Sequence, residues 1–266
     1  MGRLSSRVAL VTGASRGIGE AIALRFAAEG AAVAVTARTV TESDNLLPGS
    51  ITTTLQAILD AGGTGVAIPA DLSSADDRGR LVDTVVRDLG PIDVLVNNAA
   101  ITYFAPVADF DERRYRLMFE VQVRAPFELA QRVLPAMRAR GQGWILNISS
   151  GSSYHPKGPP YLEDASGWTV YGMCKAALER FTTGLAAEVH RDGIAVNVLS
   201  PSGLVLTPGV LHHRLDEVIP SERHEPVERT VQAALALCTG DPRTLTGRVT
   251  QTAAILDEIG ANPPPG

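Results

Sequence analysis

A short apolar strand that runs directly into a glycine-rich segment is the feature that most constrains how this chain folds. Residues 7–12 (RVALVT) have the apolar, β-branched composition of a buried strand, and residues 12–19 (TGASRGIG) follow at once. The next residues, EAIALRFAAEGA, have helical apolar spacing and end near Gly30. Because glycines allow tight turning and close backbone approach, this order predicts a strand, a glycine loop and a helix.

The same alternation of apolar strands and helices repeats along the chain. Further strands are predicted at 32–37, 65–72, 92–100, 144–150 and 194–201, and the helices between them include 111–139 and 171–192. Continuously apolar strands that alternate with helices are typical of a parallel sheet covered on both faces. The sequence therefore predicts an α/β fold: a single-domain Rossmann-like doubly wound parallel sheet with helices on both faces.

Domain boundaries and loops follow from composition along the chain. No linker divides the sequence, so residues 1–260 are predicted to form one domain. The final ANPPPG is proline-rich, and residues 261–266 are expected to be a flexible tail. Two turn-rich stretches, 39–53 and 151–170, interrupt the alternation and are predicted to be long loops.

Charge and reactive side chains exclude several classes of partner. The net charge is -5, and no basic run offers a surface for nucleic acid or an anionic membrane. No stretch approaches the length that spans a bilayer, so we expect a cytoplasmic protein. Cys174 and Cys238 lack C-x-x-C spacing, which favours reduced buried thiols. His212 and His213 are adjacent instead of one helical turn apart, so we expect no catalytic metal.

The segment YGMCK at residues 171–175 places a tyrosine and a lysine one helical turn apart. Positions i and i+4 share a face of a helix, so Tyr171 and Lys175 point the same way. A free phenol has a pKa of about 10, and a nearby positive charge favours the phenolate and lowers that pKa. The pair suits a tuned acid-base group, and the alternative is an ordinary polar pair on an amphipathic helix.

The glycine loop opens the first helix, where the backbone amides of a helix terminus hold an anion without a basic side chain. A strand, a glycine loop and a helix in this order favour a pyrophosphate site and hence a dinucleotide cofactor. The spacing is G-x-x-x-G-x-G, which differs from the usual G-x-G-x-x-G of dinucleotide-binding folds.

Six segments taken together resemble the short-chain dehydrogenase/reductase family. They are TGASRGIG, ADL at 70–72, NNAA at 97–100, NISS at 147–150, YGMCK, and NVLSPSG at 197–203. The resemblance runs from about residue 5 to residue 245 and implies a nicotinamide-dependent oxidoreductase. By that resemblance, Asp71 and Leu72 flank the adenine, Asn98 lies along the cofactor, and residues 202–207 contact the nicotinamide carboxamide region.

The resemblance implies a cofactor site that is spread over most of the chain. Its expected contacts are Thr12, Gly13, Ser15, Arg16, Gly17, Ile18, Gly19, Arg38, Asp71, Leu72, Asn98, Ala99, Tyr171, Lys175, Pro201, Ser202 and Thr207. Family members that bind NAD end the second strand with an acid that takes the ribose hydroxyls. Here Ala37 stands at that point, followed by Arg38, and Arg16 lies in the glycine loop.

Two guanidiniums near a 2′-phosphate form charge-assisted hydrogen bonds, so we expect NADP(H) as the preferred cofactor and NAD(H) as the alternative. If the cofactor is NAD(H), Arg16 and Arg38 are solvated surface charges.

The catalytic residues are expected at the carboxyl ends of strands, where open α/β sheets build their sites. Tyr171 is expected to be the acid-base residue, and by the resemblance Lys175 tunes it and holds the nicotinamide ribose. Ser150, at the end of the fifth strand, is placed to hydrogen-bond the substrate oxygen. The neighbouring Ser149 is the alternative serine, and for it we expect a buried structural role.

Gln122 is the clearest departure from the family pattern, and we count it with Ser150, Tyr171 and Lys175 as a catalytic residue. The family commonly has an asparagine there that supports a water chain from the lysine to solvent. Glutamine keeps the amide but is one methylene longer, so it relays protons, displaces the water or merely packs the helix. Ala100 also replaces a usual glycine, and PSG replaces the usual PG after the sixth strand.

Two segments are expected to bound the substrate. The loop before the catalytic tyrosine is longer than is usual for the family, and its Tyr154, Tyr161 and Trp168 either shape the pocket or belong to an exposed flap. Residues 204–228 fall where the family carries a mobile substrate lid. On that segment Leu211, His212 and His213 either touch the substrate or face solvent.

The sequence thus predicts an NADP(H)-dependent oxidoreductase that interconverts a small-molecule carbonyl and a secondary alcohol, with no nucleic-acid or membrane partner. The alternative is a dinucleotide-binding sensor or regulatory protein of the same fold with little or no turnover, which Gln122 leaves open. A purely structural interaction protein leaves the glycine loop and the polar residues unexplained. The resemblance also implies a homodimer or homotetramer built on the helices around 111–139 and 171–190.

Overall fold

The computed structural model describes residues 2–44, 46–161 and 167–261, which form a seven-stranded sheet surrounded by helices. The strands are β1 (Val8–Thr12), β2 (Ala32–Ala37), β3 (Thr64–Pro69), β4 (Val94–Asn97), β5 (Gly143–Ile148), β6 (Ile194–Ser200) and β7 (Val249–Gln251). The helices are α1 (Gly17–Ala28), α2 (Ile51–Asp60), α3 (Ala75–Asp88), α4 (Glu112–Phe119), α5 (Ala125–Arg140), α6 (Thr169–Val189), α7 (Pro208–His212), α8 (Leu215–Val218), α9 (Val227–Thr239) and α10 (Thr252–Glu258).

The strands are parallel, and their order is β3-β2-β1-β4-β5-β6-β7. β1 pairs on both edges, so that Val11 lies opposite Val35 of β2 on one side and Val96 of β4 on the other. The chain therefore winds outward from β1 in two directions, and the strand order reverses between β1 and β4. Ligands of open α/β sheets bind at such a reversal, outside the carboxyl ends of the strands.

Two apolar layers hold the sheet between helices. Alternate residues of a strand point to opposite faces, so Val11 of β1 enters one layer and Leu10 enters the other. The first layer includes Phe26 of α1 and Leu235 of α9, and the second includes Leu129 of α5. Burying each such side chain stabilises the fold by about 1.5–3 kcal/mol. The predicted doubly wound sheet with helices on both faces is confirmed.

Two elements differ from the sequence-based prediction. β7 is only three residues long and partly exposed, too short for apolar periodicity to reveal, yet it pairs in parallel with β6 at the far edge of the sheet. The helix predicted at 111–139 is divided into α4 and α5, which are joined by one turn of π-helix at Glu120–Arg124. Turns of this kind occur frequently at functional sites.

The two stretches predicted as long loops contain ordered elements. Residues Glu42–Asp44 form a turn of 3₁₀-helix, and α2 begins at Ile51, so the loop prediction for 39–53 is wrong from that residue onward. Ser50 ends the loop through a capping box with Thr53. In the second stretch Gly151–Ser153 forms another 3₁₀ turn, and α6 begins before its end. Residues 162–166 of that loop, and 262–266 of the predicted tail, lie outside the described residues.

Within the described ranges, no helix is long and apolar enough to cross a bilayer. The same ranges contain no group of three or more His, Cys, Asp or Glu side chains that could hold a metal ion. Cys174 and Cys238 are free and buried, as predicted, and burial raises the pKa of both thiols, that of Cys174 to about 11.

A buried arginine joins three parts of the fold beneath the carboxyl end of β3. Arg78 of α3 has a side chain that is 1% exposed, and its Nε donates to Glu128 Oε2 of α5 at 2.6 Å. Its Nη1 donates to the backbone carbonyl of Leu72 at 2.6 Å and to Glu120 of the π-turn at 3.3 Å. The guanidinium holds the pKa of the Glu128 carboxyl below its usual range. This network fixes the chain after β3 against α5.

We expect Arg78→Met to lower the free energy of unfolding by about 3 kcal/mol, because it leaves the Leu72 carbonyl and Glu128 without their buried donor. Arg116→Met is the control, since Arg116 pairs with Glu112 at the surface, where both side chains are largely exposed. The control is expected to cost at most about 0.5 kcal/mol. Urea unfolding measures both variants, and equal losses would contradict a stabilising buried network.

Candidate active site

A cleft of about 1040 Å³ lies at the carboxyl ends of the strands. Most residues predicted for the cofactor and for catalysis line this cleft together: Gly13, Ser15, Arg16, Gly17, Ile18, Arg38, Asp71, Leu72, Asn98, Ala99, Ser150, Tyr171, Lys175, Pro201, Ser202 and Thr207. Thr12, Gly19 and Gln122 differ from this set because they are buried outside the lining. Segments far apart in sequence therefore meet in one concave site at the strand-order reversal.

Thr12 and Gly19 shape the glycine loop from within the fold. Thr12 Oγ1 donates to the backbone carbonyl of Val96 at 3.1 Å and accepts from the amides of Asn98 and Ala99 at 3.0 and 3.1 Å. A methyl group at Gly19 would collide with the Asn98 side chain. Both residues pack the glycine loop against the chain that follows β4. They therefore support the loop from inside the fold and do not themselves line the cleft.

The glycine loop fits an anionic group. Gly13 and Gly17 have φ of 64° and 62°, in the left-handed region that favours glycine. Asn98 Nδ2 donates to the carbonyls of Thr12 and Gly13 at 2.9 and 3.1 Å and so holds the loop in place. The loop leads into α1, whose N-terminal amides and helix dipole favour a negative charge. These residues suit the pyrophosphate of a dinucleotide.

The two arginines expected at a 2′-phosphate are placed differently from one another. The guanidinium of Arg16 donates to the backbone carbonyls of residues 47–49 at 2.7 to 3.1 Å. It is therefore a clamp on that segment, and the alternative of a merely solvated charge is wrong for Arg16. Arg38 is exposed, lines the cleft and directly follows Ala37 at the end of β2.

The structure distinguishes the two serines after β5. Ser149 is buried, and its hydroxyl donates to Glu179 Oε1 of α6 at 2.6 Å, which is the structural role. Both serines line the cleft, and the Ser150 hydroxyl lies near enough to Tyr171 to oppose the rise in the pKa of that phenol. Ser150 Oγ also accepts from the Ser152 amide at 3.2 Å, which fixes the orientation of the side chain.

Tyr171 and Lys175 lie on one face of α6, with Lys175 Nζ 5.5 Å from the centre of the Tyr171 ring. Tyr171 is partly open to the cleft, yet burial raises its pKa to about 12, and the nearby Ser150 hydroxyl opposes this shift. Burial lowers the pKa of Lys175 to about 8, and Nζ donates to the Ile148 carbonyl at 2.9 Å. Desolvation of the phenol is thus the largest influence on the pKa of Tyr171, and the expectation that Lys175 lowers this pKa stays a prediction.

Gln122 is buried in the π-turn between α4 and α5. Its Nε2 donates to the backbone carbonyl of Ile101 at 3.0 Å, while its Oε1 is buried without a hydrogen-bond partner among the described residues. The neighbouring Val121 lines the cleft and Gln122 lies outside that lining. The amide therefore packs beneath the chain that follows β4, one layer away from the predicted reaction site.

The segment 204–228 covers the cleft with short helices. α7 and α8 lie within it, and both His212 and His213 line the cleft. Leu211 is exposed and lies outside the lining, so the expectation that it touches the substrate is wrong for this arrangement. Tyr154 and Trp168 of the long loop also line the cleft, whereas Tyr161 is an exposed residue outside the lining.

Glu225 is a site residue that the sequence pattern does not reveal. Its Oε2 accepts from the backbone amides of Ser202 and Gly203 at 2.8 and 3.2 Å, and its Oε1 accepts from Thr230 at 2.9 Å. The carboxylate therefore shapes the loop that follows β6 from a position more than 20 residues along the chain. No local motif surrounds Glu225, so only the three-dimensional contact identifies it.

Lys175 makes the stability of the protein depend on pH. Its pKa of about 8 lies below the ordinary 10.5, so between these values the unfolded chain binds more protons than the folded one. We expect the free energy of unfolding of the wild type to rise, relative to that of Lys175→Met, as the pH increases from 8 to 10.5. Urea unfolding in steps across this interval measures the difference, and a difference independent of pH would contradict the lowered pKa.

The sequence matches the family described as short chain dehydrogenase over residues 7–217. It is 35% identical over 208 residues to Dehydrogenase/reductase SDR family member 4 of Homo sapiens, an alignment that covers 77% of this chain and 68% of that protein.

Solved structures give the same result. The chain is similar to a short chain dehydrogenase from Mycobacterium thermoresistibile, with a TM-score of 0.82, 31% identity and coverage of 97% of this chain and 88% of that one. It is also similar to a metagenomic short-chain oxidoreductase in complex with NADP, with a TM-score of 0.75, 28% identity and coverage of 94% and 98%. Sequence, sheet order and cleft agree, and the chain belongs to the short-chain dehydrogenase/reductase family of dinucleotide-dependent oxidoreductases.

Proposed function

We propose that this enzyme is an NADP(H)-dependent oxidoreductase that interconverts a small-molecule carbonyl compound and a secondary alcohol. The observation that carries the proposal is the placement of the Ser150 and Tyr171 hydroxyl groups beside the buried Lys175 in one cleft. Two neighbouring hydroxyl groups can receive a carbonyl oxygen between them, and reduction requires a proton donor at that oxygen.

The side chains divide the proton chemistry between them. The pKa of Tyr171, about 12, keeps the phenol protonated at neutral pH, so it can donate its proton to the substrate oxygen during reduction. Ser150 donates a hydrogen bond to the same oxygen and orients the carbonyl group. In the oxidation direction Tyr171 accepts the proton, and positive charge near the phenol lowers the free energy of that step. The nicotinamide, when bound, supplies or accepts the hydride.

The remaining cleft residues are proposed to hold the cofactor. The glycine loop takes the pyrophosphate, Asp71 and Leu72 flank the adenine, and Lys175 donates to the nicotinamide ribose. Arg38 carries the preference for NADP(H), because it lines the cleft directly after Ala37, where no acid repels a 2′-phosphate. A similar short-chain oxidoreductase solved in complex with NADP supports this assignment.

The second candidate is a dinucleotide-binding sensor with little or no turnover. The observation that favours it is Gln122, whose Oε1 is buried without a partner in the described part of the chain. A proton relay through this position needs an amide that reaches solvent-linked water, and the Gln122 amide donates to the Ile101 carbonyl instead. The intact Ser150, Tyr171 and Lys175 favour the enzyme.

We also propose a homodimer or homotetramer formed through α5 and α6. A groove of about 590 Å³ lies between these helices, and its lining includes Phe127, Leu134 and Phe181. Phe127 is 50% exposed, and its ring centre is 5.8 Å from that of Phe181. Contiguous apolar surface of this kind on a soluble domain marks an interaction site.

Replacement of Tyr171 tests the proposed reaction. We expect Tyr171→Phe to lower kcat by about 10²–10⁴-fold with NADPH binding intact, because only the proton donor is lost. Tyr154→Phe is the control, since Tyr154 also lines the cleft but is exposed and has no part in the proposed proton transfer. NADPH oxidation with a panel of carbonyl compounds measures turnover. An inactive wild type that binds NADPH tightly would support the sensor.

Replacement of Arg38 tests the proposed cofactor preference. We expect Arg38→Gln to weaken NADPH binding by about tenfold or more and to leave NADH binding unchanged, because it removes a charge-assisted bond to the 2′-phosphate. Arg16→Gln is the comparison, since it releases the segment 47–49 and is expected to affect both cofactors alike. Fluorescence titration gives the dissociation constants, and equal effects of Arg38→Gln on both cofactors would exclude a role in discrimination.

A further inference from the structure

Four rings from separate parts of the chain meet beside the proposed reaction site. Phe104 follows β4, Trp168 precedes α6, Tyr171 lies within α6, and His213 follows α7. The centre of the Phe104 ring lies 4.4 Å from Trp168, 6.3 Å from Tyr171 and 5.4 Å from His213. All four residues line the cleft, and we call them the aromatic cluster.

The geometry of the aromatic cluster leaves ring surface available to a ligand. Phe104 and Trp168 are half-buried, so part of each ring faces the cleft that it lines. Phe104 meets Tyr171 and His213 edge to face, at interplanar angles of 75° and 83°. Aromatic rings attract one another in such arrangements at centroid separations of about 4.5–7 Å, beyond what area burial alone provides. A flat ring of a ligand can join this packing.

The position of the aromatic cluster relative to Tyr171 also determines where a substrate must carry its flat ring. The Trp168 and Phe104 ring centres are 6.4 and 6.3 Å from the ring of Tyr171, which is the proposed proton donor. A carbonyl oxygen bound at the Tyr171 hydroxyl therefore places the substituent on its own carbon beside these rings. A ring bonded directly to the carbonyl carbon meets the cluster, whereas a ring on a long chain passes beyond it.

The other side chains near the aromatic cluster favour an uncharged group. Burial and the adjacent His212 lower the pKa of His213, so its imidazole is neutral at pH 7. Apolar side chains from the segment after β6 complete this part of the lining: Leu204, Val205, Val210, Leu215 and Ile219. Of the charged residues in the lining, Arg16, Arg38 and Asp71 follow β1, β2 and β3 in the other half of the sheet, and Lys175 donates to the Ile148 carbonyl. Arg223 is the charged residue that the segment after β6 contributes to the lining, and it is exposed.

We propose that the substrates are aryl carbonyl compounds, in which a neutral flat aromatic ring is bonded directly to the carbonyl carbon. This inference rests on the proposed NADP(H)-dependent reaction. Hydride from NADPH adds to the carbonyl carbon, the C=O π bond becomes a C–O single bond, and Tyr171 gives its proton to the oxygen. The products are a benzylic alcohol and NADP⁺, and Tyr171 regains a proton from solvent.

A matched pair of ketones separates aromatic recognition from simple burial of apolar area. Acetophenone and cyclohexyl methyl ketone differ only in whether the six-membered ring is aromatic, and the saturated ring is the more apolar of the two. Area burial alone therefore favours the cyclohexyl compound. We expect kcat/KM with NADPH to be about tenfold higher for acetophenone, from ring packing against Phe104 and Trp168.

Phe104→Leu tests the source of this selectivity, because it removes the central ring and keeps apolar volume. We expect the ratio of the two kcat/KM values to fall about tenfold, because acetophenone loses more from the missing ring than cyclohexyl methyl ketone does. Phe110→Leu is the matched control, since Phe110 is also half-buried but packs with Met118 outside the cleft lining. An equal ratio in the wild type, or a ratio unaffected by Phe104→Leu, would overturn the proposal.

A binding measurement distinguishes failure of this inference from failure of the proposed reaction. Calorimetry of 1-phenylethanol and 1-cyclohexylethanol on the enzyme saturated with NADPH needs no turnover, since both ligands and the cofactor are reduced. We expect the phenyl compound to bind at least fivefold more tightly, and Phe104→Leu to abolish the difference. If both ketones are turned over and the two alcohols bind with equal affinity, the aryl proposal alone is excluded. If the phenyl compound binds more tightly but no carbonyl compound is turned over, the ring-binding site is supported and the proposed reductase activity is excluded.

Discussion

The parallel pairing of β1 with β2 on one edge and β4 on the other is the constraint from which the site follows. Since the chain leaves β1 for one side of the sheet and later returns to the other, the connections diverge at the carboxyl ends and leave a crevice. Thr12, the last residue of β1, ties the two sides together through the backbone after β4. The strand order thus creates the cleft, and the buried Thr12 hydroxyl links the strands on its two sides.

Removal of water acts on the two central ionisable groups in opposite directions. It raises the pKa of Tyr171 and lowers that of Lys175, and in both cases it favours the uncharged form. The Ile148 carbonyl accepts a hydrogen bond from Lys175 in place of water, and the nearby Ser150 hydroxyl partly offsets the rise in the pKa of Tyr171. Desolvation therefore makes the lysine harder to protonate, yet a pKa of about 8 still leaves most of it positively charged at pH 7.

The sequence could predict the fold class and most of the cleft, because parallel strands and glycine loops leave local patterns. It could not distinguish Ser149 from Ser150, since both follow β5 and line the cleft, and only the hydrogen bond from Ser149 to Glu179 of α6 separates their roles. Glu225, Phe104 and Arg78 act through partners distant in sequence, so no spacing indicates them. The same limit applies to the pKa of the tyrosine, which depends on burial more than on the lysine one turn away.

The Arg16 clamp has a consequence for how this protein can vary. Its three carbonyl acceptors belong to the backbone of residues 47–49, and every amino acid presents that same oxygen. The side chains at positions 47 and 48 can therefore change while these hydrogen bonds persist, whereas Gly49 has a φ of 93° and a methyl group there would collide with the Ser15 carbonyl. The part of the cleft wall that includes Leu47 therefore depends on the Arg16 side chain and on backbone oxygens, and not on the identity of the side chain at position 47.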